Sequence, residues 1–262
     1  MPKVHKYWAV FSLSFMQAAK NIKVLVGLSI FLLTCLIIFA HIWHVATHHS
    51  ETARYAPELL LWYIAFNQWV LVASQDVNLE IQEELQTGSL AYSMVRPISY
   101  LGAKFTESFG RLCAQLLFLG AVTFVFAALW TGCVPFSAFE GAVMLLFGFF
   151  AGMLALIFQM VVGVTCFWLQ DSTPVSWVFE KLLFVLGGLL LPLACYPEWL
   201  QTVAHYTPFS IILGARSALV LDNSHEQIAF IGMAFLAWLL VGLICLKALF
   251  WRGMKILTVQ GG

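Results

Sequence analysis

Charged side chains are scarce in this sequence. Asp, Glu, Lys and Arg make up 10% of its 262 residues, and 61% of the residues are hydrophobic. An average soluble domain has about 25% charged and about 45–50% apolar residues. Water could not solvate a surface made from this mixture, so the chain is predicted to be a membrane protein surrounded by the lipid bilayer. The formal net charge of +0 offers no basic surface, and no nucleic-acid partner is expected.

Several chemical motifs are also missing. The sequence contains no GxxxxGK(S/T) phosphate-binding loop, and no polar segment is long enough to house a nucleotide-binding domain. Its six cysteines stand singly, without a CxxC pair, and are interpreted as small buried hydrophobic residues. No nucleophile and base are suitably placed for catalysis. We therefore expect no catalytic residues and no cofactor bound by this chain, which should not hydrolyse ATP itself.

The sequence does contain a series of apolar segments. Six stand out between the charged residues: 24–45, 59–74, 112–130, 142–169, 175–191 and 228–250. A membrane crossing takes about 20 helical residues for about 30 Å of hydrocarbon, and a helix satisfies every backbone polar group internally. The segments predict an all-α fold with six transmembrane helices in a single domain over residues 1–262. The second and fifth segments are short.

The Lys and Arg residues predict how the spans are oriented. If the N-terminus is cytoplasmic, 11 of the 13 Lys and Arg residues fall on the inner side, and only Arg54 and Arg216 fall outside. Lys and Arg prefer the cytoplasmic side of membrane proteins. The N-terminal segment lacks the pattern of a cleavable signal peptide, so the first span is expected to be retained. The prediction is a multi-pass inner-membrane protein with both termini in the cytoplasm.

Two stretches outside the spans are predicted to lie at the membrane surface. Residues 3–23 have lysines at their ends and aromatic residues near one face, which is typical of an interfacial helix on the inner leaflet. An ordinary flank of the first span would fit the same pattern. Residues 192–227 are apolar but interrupted by prolines, which favours short re-entrant helices that enter the outer leaflet and return.

The cytoplasmic loop 76–104 contains an amphipathic pattern. Its apolar residues Val77, Ile81 and Leu85 recur every four positions, which predicts a short helix. The remaining faces carry polar residues, and a glycine follows as a plausible helix end: Glu80, Glu83, Glu84, Thr87 and Gly88. A solvated acidic loop is the alternative interpretation.

Few polar residues lie inside the predicted spans. They are Asn67, Gln68, Gln115 and Gln159. They could line a path for polar parts of a cargo, or they could form hydrogen bonds between helices, worth about 0.6–2 kcal/mol each. Ionisable residues are almost absent from the span centres, whereas an ion-coupled carrier usually needs an intramembrane carboxylate. An uphill transporter of this kind would need energy from a partner.

A histidine cluster allows a second interpretation. His41, His44 and His48 share one face at the outer end of the first span, and imidazoles there could bind a metal or haem. A polar patch at the membrane interface is the alternative, and no metal site is predicted from this pattern alone. A metal- or haem-handling protein and an ATP-independent carrier therefore remain as other candidate functions.

Two short motifs add a family resemblance. Residues 83–90 (EELQTGSL), followed by Val95-Arg96-Pro97 and Lys104, are similar to the "E-x-x-x-G-T/S-L … R/S-P … K" stretch of one transporter family. Residues 196–200 (YPEWL), leading to 206–209 (YTPF), look like the outer element that precedes the last span in that family. Together with the six-span plan and the N-terminal helix, they make the chain resemble the permease subunits of type-2 ATP-binding-cassette (ABC) exporters.

This resemblance implies a dimer with a second or homologous permease, each copy resting on a separate cytoplasmic ATPase that uses ATP and Mg. It implies that loop 76–104 carries a coupling helix whose Glu80, Glu83, Glu84, Thr87 and Gly88 face the ATPase, with Arg96 anchoring the helix end. The outer element would gate the exit of the cargo path. Its proposed gate residues are Pro197, Trp199, Pro208 and Phe209.

Overall fold

The computed structural model describes residues 3–48, 55–94, 98–221 and 225–260. Arg96, predicted to anchor the coupling helix, and the side chain of His48 lie outside what is described. Every regular element of the described residues is helical, which confirms the all-α prediction. The helices are α1 Lys3–Lys20, α2 Ile22–His48, α3 Pro57–Ala73, α4 Val77–Gln86, α5 Ser89–Met94, α6 Tyr100–Thr131, α7 Ala138–Val164, α8 Cys166–Leu169, α9 Thr173–Leu186, α10 Glu198–His205, α11 Pro208–Ile212, α12 Gly214–Ser217 and α13 His225–Gln260.

Four helical stretches of the described chain are long and apolar enough to cross a membrane. They are Ile22–Ala46, Tyr100–Thr131, Ala138–Leu169 and Glu226–Ile256. The predicted second and fifth spans correspond to α3 and α9, which have 17 and 14 residues. At 1.5 Å per residue these helices are about 25 and 21 Å long, shorter than about 30 Å of hydrocarbon. That the chain crosses the membrane six times therefore stays a prediction.

Some predicted boundaries and environments are wrong. Helix α6 begins at Tyr100, well before residue 112, because the Ser99 side chain accepts a hydrogen bond from the Gly102 amide and caps the helix. The predicted fifth span, 175–191, is interrupted because Gly188 has a φ of +65°, which favours glycine and ends the helix. The interpretation of the cysteines as buried is wrong for three of them, since Cys133, Cys195 and Cys245 are exposed.

The long helices run in alternating directions and define two ends of the bundle. At one end, called the α4 end, α4 contacts the beginning of α6 and the end of α7. The Tyr7 hydroxyl lies 3.1 Å from Ser99 Oγ, and the Tyr100 ring stacks on Phe250, so α1 and the later part of α13 also lie there. The opposite end, called the α10 end, contains the beginning of α3, the end of α9, and helices α10 to α12.

Helix α3 lies at the centre of the bundle. Of its 17 residues, 13 are buried. Trp69 is 1% exposed, and its indole Nε1 donates a hydrogen bond to the Leu116 carbonyl of α6 at 2.7 Å. A Cβ atom at Gly148 of α7 would lie 2.4 Å from the Trp69 ring. The ring therefore fills the space between three helices completely.

Helix α1 packs along α6. A Cβ atom at Gly110 would lie 2.6 Å from the Phe11 carbonyl oxygen, so only glycine allows this approach. The prediction of a helix for residues 3–23 is confirmed, with a break at Asn21 between α1 and α2. Its position at a membrane interface stays a prediction.

Candidate functional site

Helix α4 is the amphipathic helix predicted in loop 76–104. Val77 and Ile81 are buried. They pack against the end of α7, where a Cβ atom at Gly163 would lie 3.0 Å from Asn78 Cα. The helix ends at Gln86, and Gly88 follows with a φ of +71°, which matches the predicted helix stop. Apolar packing thus fixes α4 as a rigid helix at one end of the bundle.

Two of the predicted coupling residues are paired with α6. Lys104 Nζ lies 2.7 Å from Glu80 Oε2 and 2.7 Å from Glu84 Oε1. Arg111 Nη2 lies 2.8 Å from Glu80 Oε2, and the Tyr100 hydroxyl donates to Glu84 Oε2 at 2.7 Å. These five residues are called the α4–α6 ion cluster. Their contacts join α4 to the first third of α6. The carboxylates of Glu80 and Glu84 are thus bound to side chains of α6.

The ion cluster makes the folded state sensitive to acid. Burial alone would raise the pKa of Glu80, but hydrogen bonds from Arg111 and Lys104 hold this pKa below its usual value. A lowered folded pKa adds stability above the unfolded pKa, about 4.3, and this stability is lost as the pH falls through the folded pKa. We expect the melting temperature of the detergent-solubilised protein to decrease when the pH is lowered below about 4. The fall should be smaller in a Glu80→Gln variant, and an identical pH profile would contradict the assignment.

The other flank of α4 contacts the segment that leads into α9. Gln82 Oε1 accepts hydrogen bonds from the Ser172 amide at 2.8 Å and from Ser172 Oγ at 2.7 Å. Gln86 Nε2 donates to the Gln170 carbonyl at 2.9 Å. Neither glutamine is marked as a contact residue by the sequence pattern. Their four-residue spacing marks a shared helix face, but an uncharged amide does not reveal which segment it contacts.

The part of α4 that remains exposed is small. It is called the exposed α4 face and comprises Leu79, Glu83 and Gln86 of α4, together with Thr87 and Gly88, which follow the helix. Glu83 is its only carboxylate, and the Thr87 hydroxyl donates to the Glu83 carbonyl at 2.8 Å. Of the predicted coupling residues described, Glu83, Thr87 and Gly88 lie on this face, whereas Glu80 and Glu84 belong to the ion cluster.

Among the polar residues predicted within the spans, Asn67 and Gln68 are buried in α3. Asn67 Nδ2 donates to the Gly188 and Leu189 carbonyls at 3.4 and 3.5 Å, and Ser217 Oγ donates to Asn67 Oδ1 at 2.6 Å. Asn67 therefore makes the interhelical hydrogen bonds that were the alternative interpretation.

Gln115 and Gln159 lie beside cavities. Gln115 Oε1 accepts a hydrogen bond from Gln75 Nε2 at 3.0 Å, and both border a polar pocket at the α4 end. Gln159 borders a cavity of about 280 Å³ between α3, α7 and α9, called the central cavity. Its Oε1 atom is buried without a hydrogen-bond partner among the described residues. Gln159 is thus the predicted path residue that borders the central cavity, and its role in a path stays a prediction.

The central cavity has a polar end and an apolar end. Its polar lining residues, called the cavity mouth, are Ser74 and Asp76 near the α4 end and Glu180 and Lys181 halfway along α9. Its deeper part is lined by apolar side chains and finishes at Leu189 and Leu213, near the α10 end. The lining of the central cavity therefore includes both polar and apolar side chains.

A polar contact region closes the cavity beyond Leu189. It surrounds the break in α9 and is called the α9 junction. The Tyr63 hydroxyl and the Asn67 side chain both donate to the Gly188 carbonyl, and the Gly214 amide donates to the Gly187 carbonyl at 2.8 Å. A Cβ atom at Gly214 would lie 2.7 Å from that same carbonyl oxygen. The junction joins α3, α9 and α12 without space for solvent.

The four predicted gate residues are separated into two pairs. Pro208 is buried and begins α11, and the Phe209 ring lies 5.6 Å from the Phe179 ring of α9. Pro197 caps α10 and is exposed, as is Trp199 at the start of that helix. Only the Pro208–Phe209 pair is therefore packed next to the helices that border the cavity.

The histidine cluster is only partly described. His41 and His44 are exposed, and His41 Nδ1 lies 2.8 Å from the Ile37 carbonyl oxygen, within hydrogen-bond distance. The His41 ring also contacts the Trp130 ring, with a centroid distance of 5.5 Å. No group of three or more possible metal ligands occurs among the side chains that the structure describes.

Comparison with known proteins identifies the family. No curated protein matches the chain significantly. Residues 55–261 match the family model described as "ABC-2 family transporter protein", a range that begins before α3 and reaches the end of α13. This range includes the ion cluster, the central cavity and the α9 junction. The chain therefore belongs to the ABC-2 family of transporter proteins and is a multi-pass membrane protein.

Proposed function

We propose that this chain is the permease subunit of an ATP-driven ABC exporter, which works as a dimer and uses a separate cytoplasmic ATPase. The observation that carries the proposal is the double attachment of α4. One flank is bound to α6 through Lys104, and the other is bound to the start of α9 through Ser172. Between these attachments, the exposed α4 face is available for an ATPase.

The attachments suggest how the ATPase would drive transport. A force on the exposed α4 face would reach α9 through the Gln82–Ser172 hydrogen bonds. Helix α9 forms one wall of the central cavity, and its far end is held at the α9 junction. Movement of α9 relative to α3 would release the junction and open the cavity towards Pro208 and Phe209. ATP and Mg would act in the partner, and this chain would supply no catalytic residue.

The two ends of the bundle support the predicted topology. Helix α1, helix α4 and the end of α13 lie at one end, as expected if both termini and the coupling helix are cytoplasmic. In this arrangement α3 and α9 are short crossings of the inner membrane, and residues 192–227 complete the outer half beyond α9. The whole chain would form one transmembrane permease domain. The metal-handling and ion-driven carrier alternatives have no comparable support from the described contacts.

The proposal is tested by reversing the charge of the exposed α4 face. Glu83→Lys should weaken binding of the ATPase subunit by about tenfold, about 1.4 kcal/mol, because groups complementary to a carboxylate would meet a like charge. The measurement is the binding affinity between the purified permease and its ATPase, together with the ATPase activity of the reconstituted complex. Glu83 lies outside the ion cluster, so folding of the permease should not change.

A matched control is Glu198→Lys, which reverses an exposed carboxylate on α10 at the opposite end. This variant should bind the ATPase as the wild-type protein does. Equal affinities for the wild-type and Glu83→Lys proteins would contradict the proposed coupling surface. Cargo transport by liposomes that contain this chain alone, driven by an ion gradient, would favour a carrier instead.

A further inference from the structure

Arg216 is the most deeply buried cation of the described chain. It lies on α12 and is 1% exposed. Its Nη2 donates to the Phe66 carbonyl at 2.7 Å, and its Nε donates to the Ile212 carbonyl at 3.3 Å. Its Nη1 is buried and has no acceptor among the described residues. The guanidinium group thus keeps donor capacity that the folded chain does not use.

Arg216 also has no acidic partner in the described structure. The three ion pairs found there all belong to the α4–α6 ion cluster. Its neighbours are two backbone carbonyls and the face of Trp69, whose ring centroid lies 6.0 Å from the guanidinium carbon. A buried charge without a counter-ion is strongly unfavourable, and ionisable groups within membrane proteins are usually retained for function.

The position of Arg216 connects it to the central cavity. Leu213, three residues before Arg216, lines the apolar part of that cavity, as does Leu189. The Leu189 carbonyl accepts a hydrogen bond from Asn67, which in turn binds Ser217, the residue next to Arg216. Arg216 is therefore linked to the α9 junction through Ser217 and Asn67, and to the cavity lining through Leu213.

We propose that Arg216 is a binding site for the anionic headgroup of an amphipathic cargo, which reaches it when the α9 junction opens. This inference rests on the proposed export function and adds a cargo class to it. A guanidinium group binds a carboxylate or phosphate through two parallel hydrogen bonds. The unused Nη1 and the Nη2 that now binds the Phe66 carbonyl would provide these bonds. The apolar wall between the cavity mouth and Leu213 would hold the hydrocarbon part.

The charge of the cavity mouth should also select between different anionic ligands. Asp76 and Glu180 lie there together with Lys181, so its formal charge is negative. Small hydrated anions would be repelled from this mouth. An amphiphile gains binding energy from burial of its apolar part and can overcome this repulsion. Inorganic phosphate should therefore bind much more weakly than an alkyl phosphate.

The test compares two single-chain amphiphiles of opposite charge on the purified chain in dodecyl maltoside. Thermal unfolding is measured with dodecyl phosphate, dodecyltrimethylammonium or inorganic phosphate. Dodecyl phosphate should raise the melting temperature of the wild-type protein at a concentration at least about tenfold lower than the cationic amphiphile, because hydrogen bonds to a charged group are strong. Arg216→Met should lose this preference, and Arg216→Lys should reduce it, since lysine lacks the planar fork.

Arg252→Met is the matched control, because it removes an exposed arginine on α13 and should keep the anion preference. Should Arg216→Met fail to fold, Arg216→Lys decides the result. Equal responses to both amphiphiles, no response to either, or a preference that survives the Arg216 variants would overturn the proposal. The experiment contains no ATPase, so such a failure would leave the result for Glu83 untouched.

Discussion

Replacement of Trp69 by alanine is expected to destabilise the bundle by about 3–5 kcal/mol, as for other large aromatic residues in protein cores. The side chain is buried between α3, α6 and α7 and makes contacts that no smaller residue can reproduce. Its loss would leave a cavity beside Gly148 and Gly120, and would leave the Leu116 carbonyl without the indole donor. The measurement is thermal or denaturant unfolding of the purified protein in detergent.

The control for this prediction is Trp251→Ala. Trp251 is 70% exposed on α13, so its removal should cost less than about 1 kcal/mol in detergent. A second variant, Gly148→Leu, tests the same contact from the other helix, because its side chain would overlap the Trp69 ring. If Trp69→Ala and Trp251→Ala were equally stable, the central position of Trp69 would be wrong.

The second large effect is expected at Lys104. Its ammonium group lies between Glu80 and Glu84, so Lys104→Met would remove the cation that separates the two carboxylates and leave Arg111, which contacts Glu80, to compensate for them. The expected destabilisation is about 2–3 kcal/mol. This is less than the about 3–5 kcal/mol for a fully buried pair, because both carboxylates are partly exposed to solvent. Attachment of α4 to α6 should weaken, and ATPase coupling should fall with it.

Charge removal on the opposite side of the cluster should rescue this variant. Lys104→Met combined with Glu84→Gln removes one of the two repelling charges and should recover much of the lost stability, as measured by the melting temperature. Lys181→Met is the control, since Lys181 is exposed on α9 and belongs to no ion pair in the described structure. If the melting temperature were not recovered, the charges of Lys104, Glu80 and Glu84 would not act as one cluster.

The sequence predicted those features that depend on local patterns. The spacing of Val77, Ile81 and Leu85 identified α4, and Gly88 identified its end, because both signals arise within one helix turn. The apolar run 175–191 did not reveal where α9 ends. Hydropathy averages over a window, whereas the break depends on the positive φ of a single glycine.

Features that depend on tertiary contacts could not be predicted. Asn67 had two possible roles, and only the position of Gly188 opposite it decides in favour of interhelical hydrogen bonds. The sequence does not distinguish the roles of the carboxylates Glu80, Glu83 and Glu84. In the structure, Lys104 contacts Glu80 and Glu84, and Arg111 contacts Glu80. The distribution of Lys and Arg predicts on which side of the membrane Arg216 lies, but it does not predict whether this side chain is buried.

The division of α4 into an inward and an outward set of residues has a consequence for protein engineering. If this permease were to be matched with an ATPase from another transporter, Glu83 of α4 and the following Thr87 could be exchanged while the rest of α4 stays. An exchange of the whole of α4 would separate Glu80 and Glu84 from the cations of α6. Such a chimera would need Lys104 and Arg111, or their equivalents, to be transplanted with it.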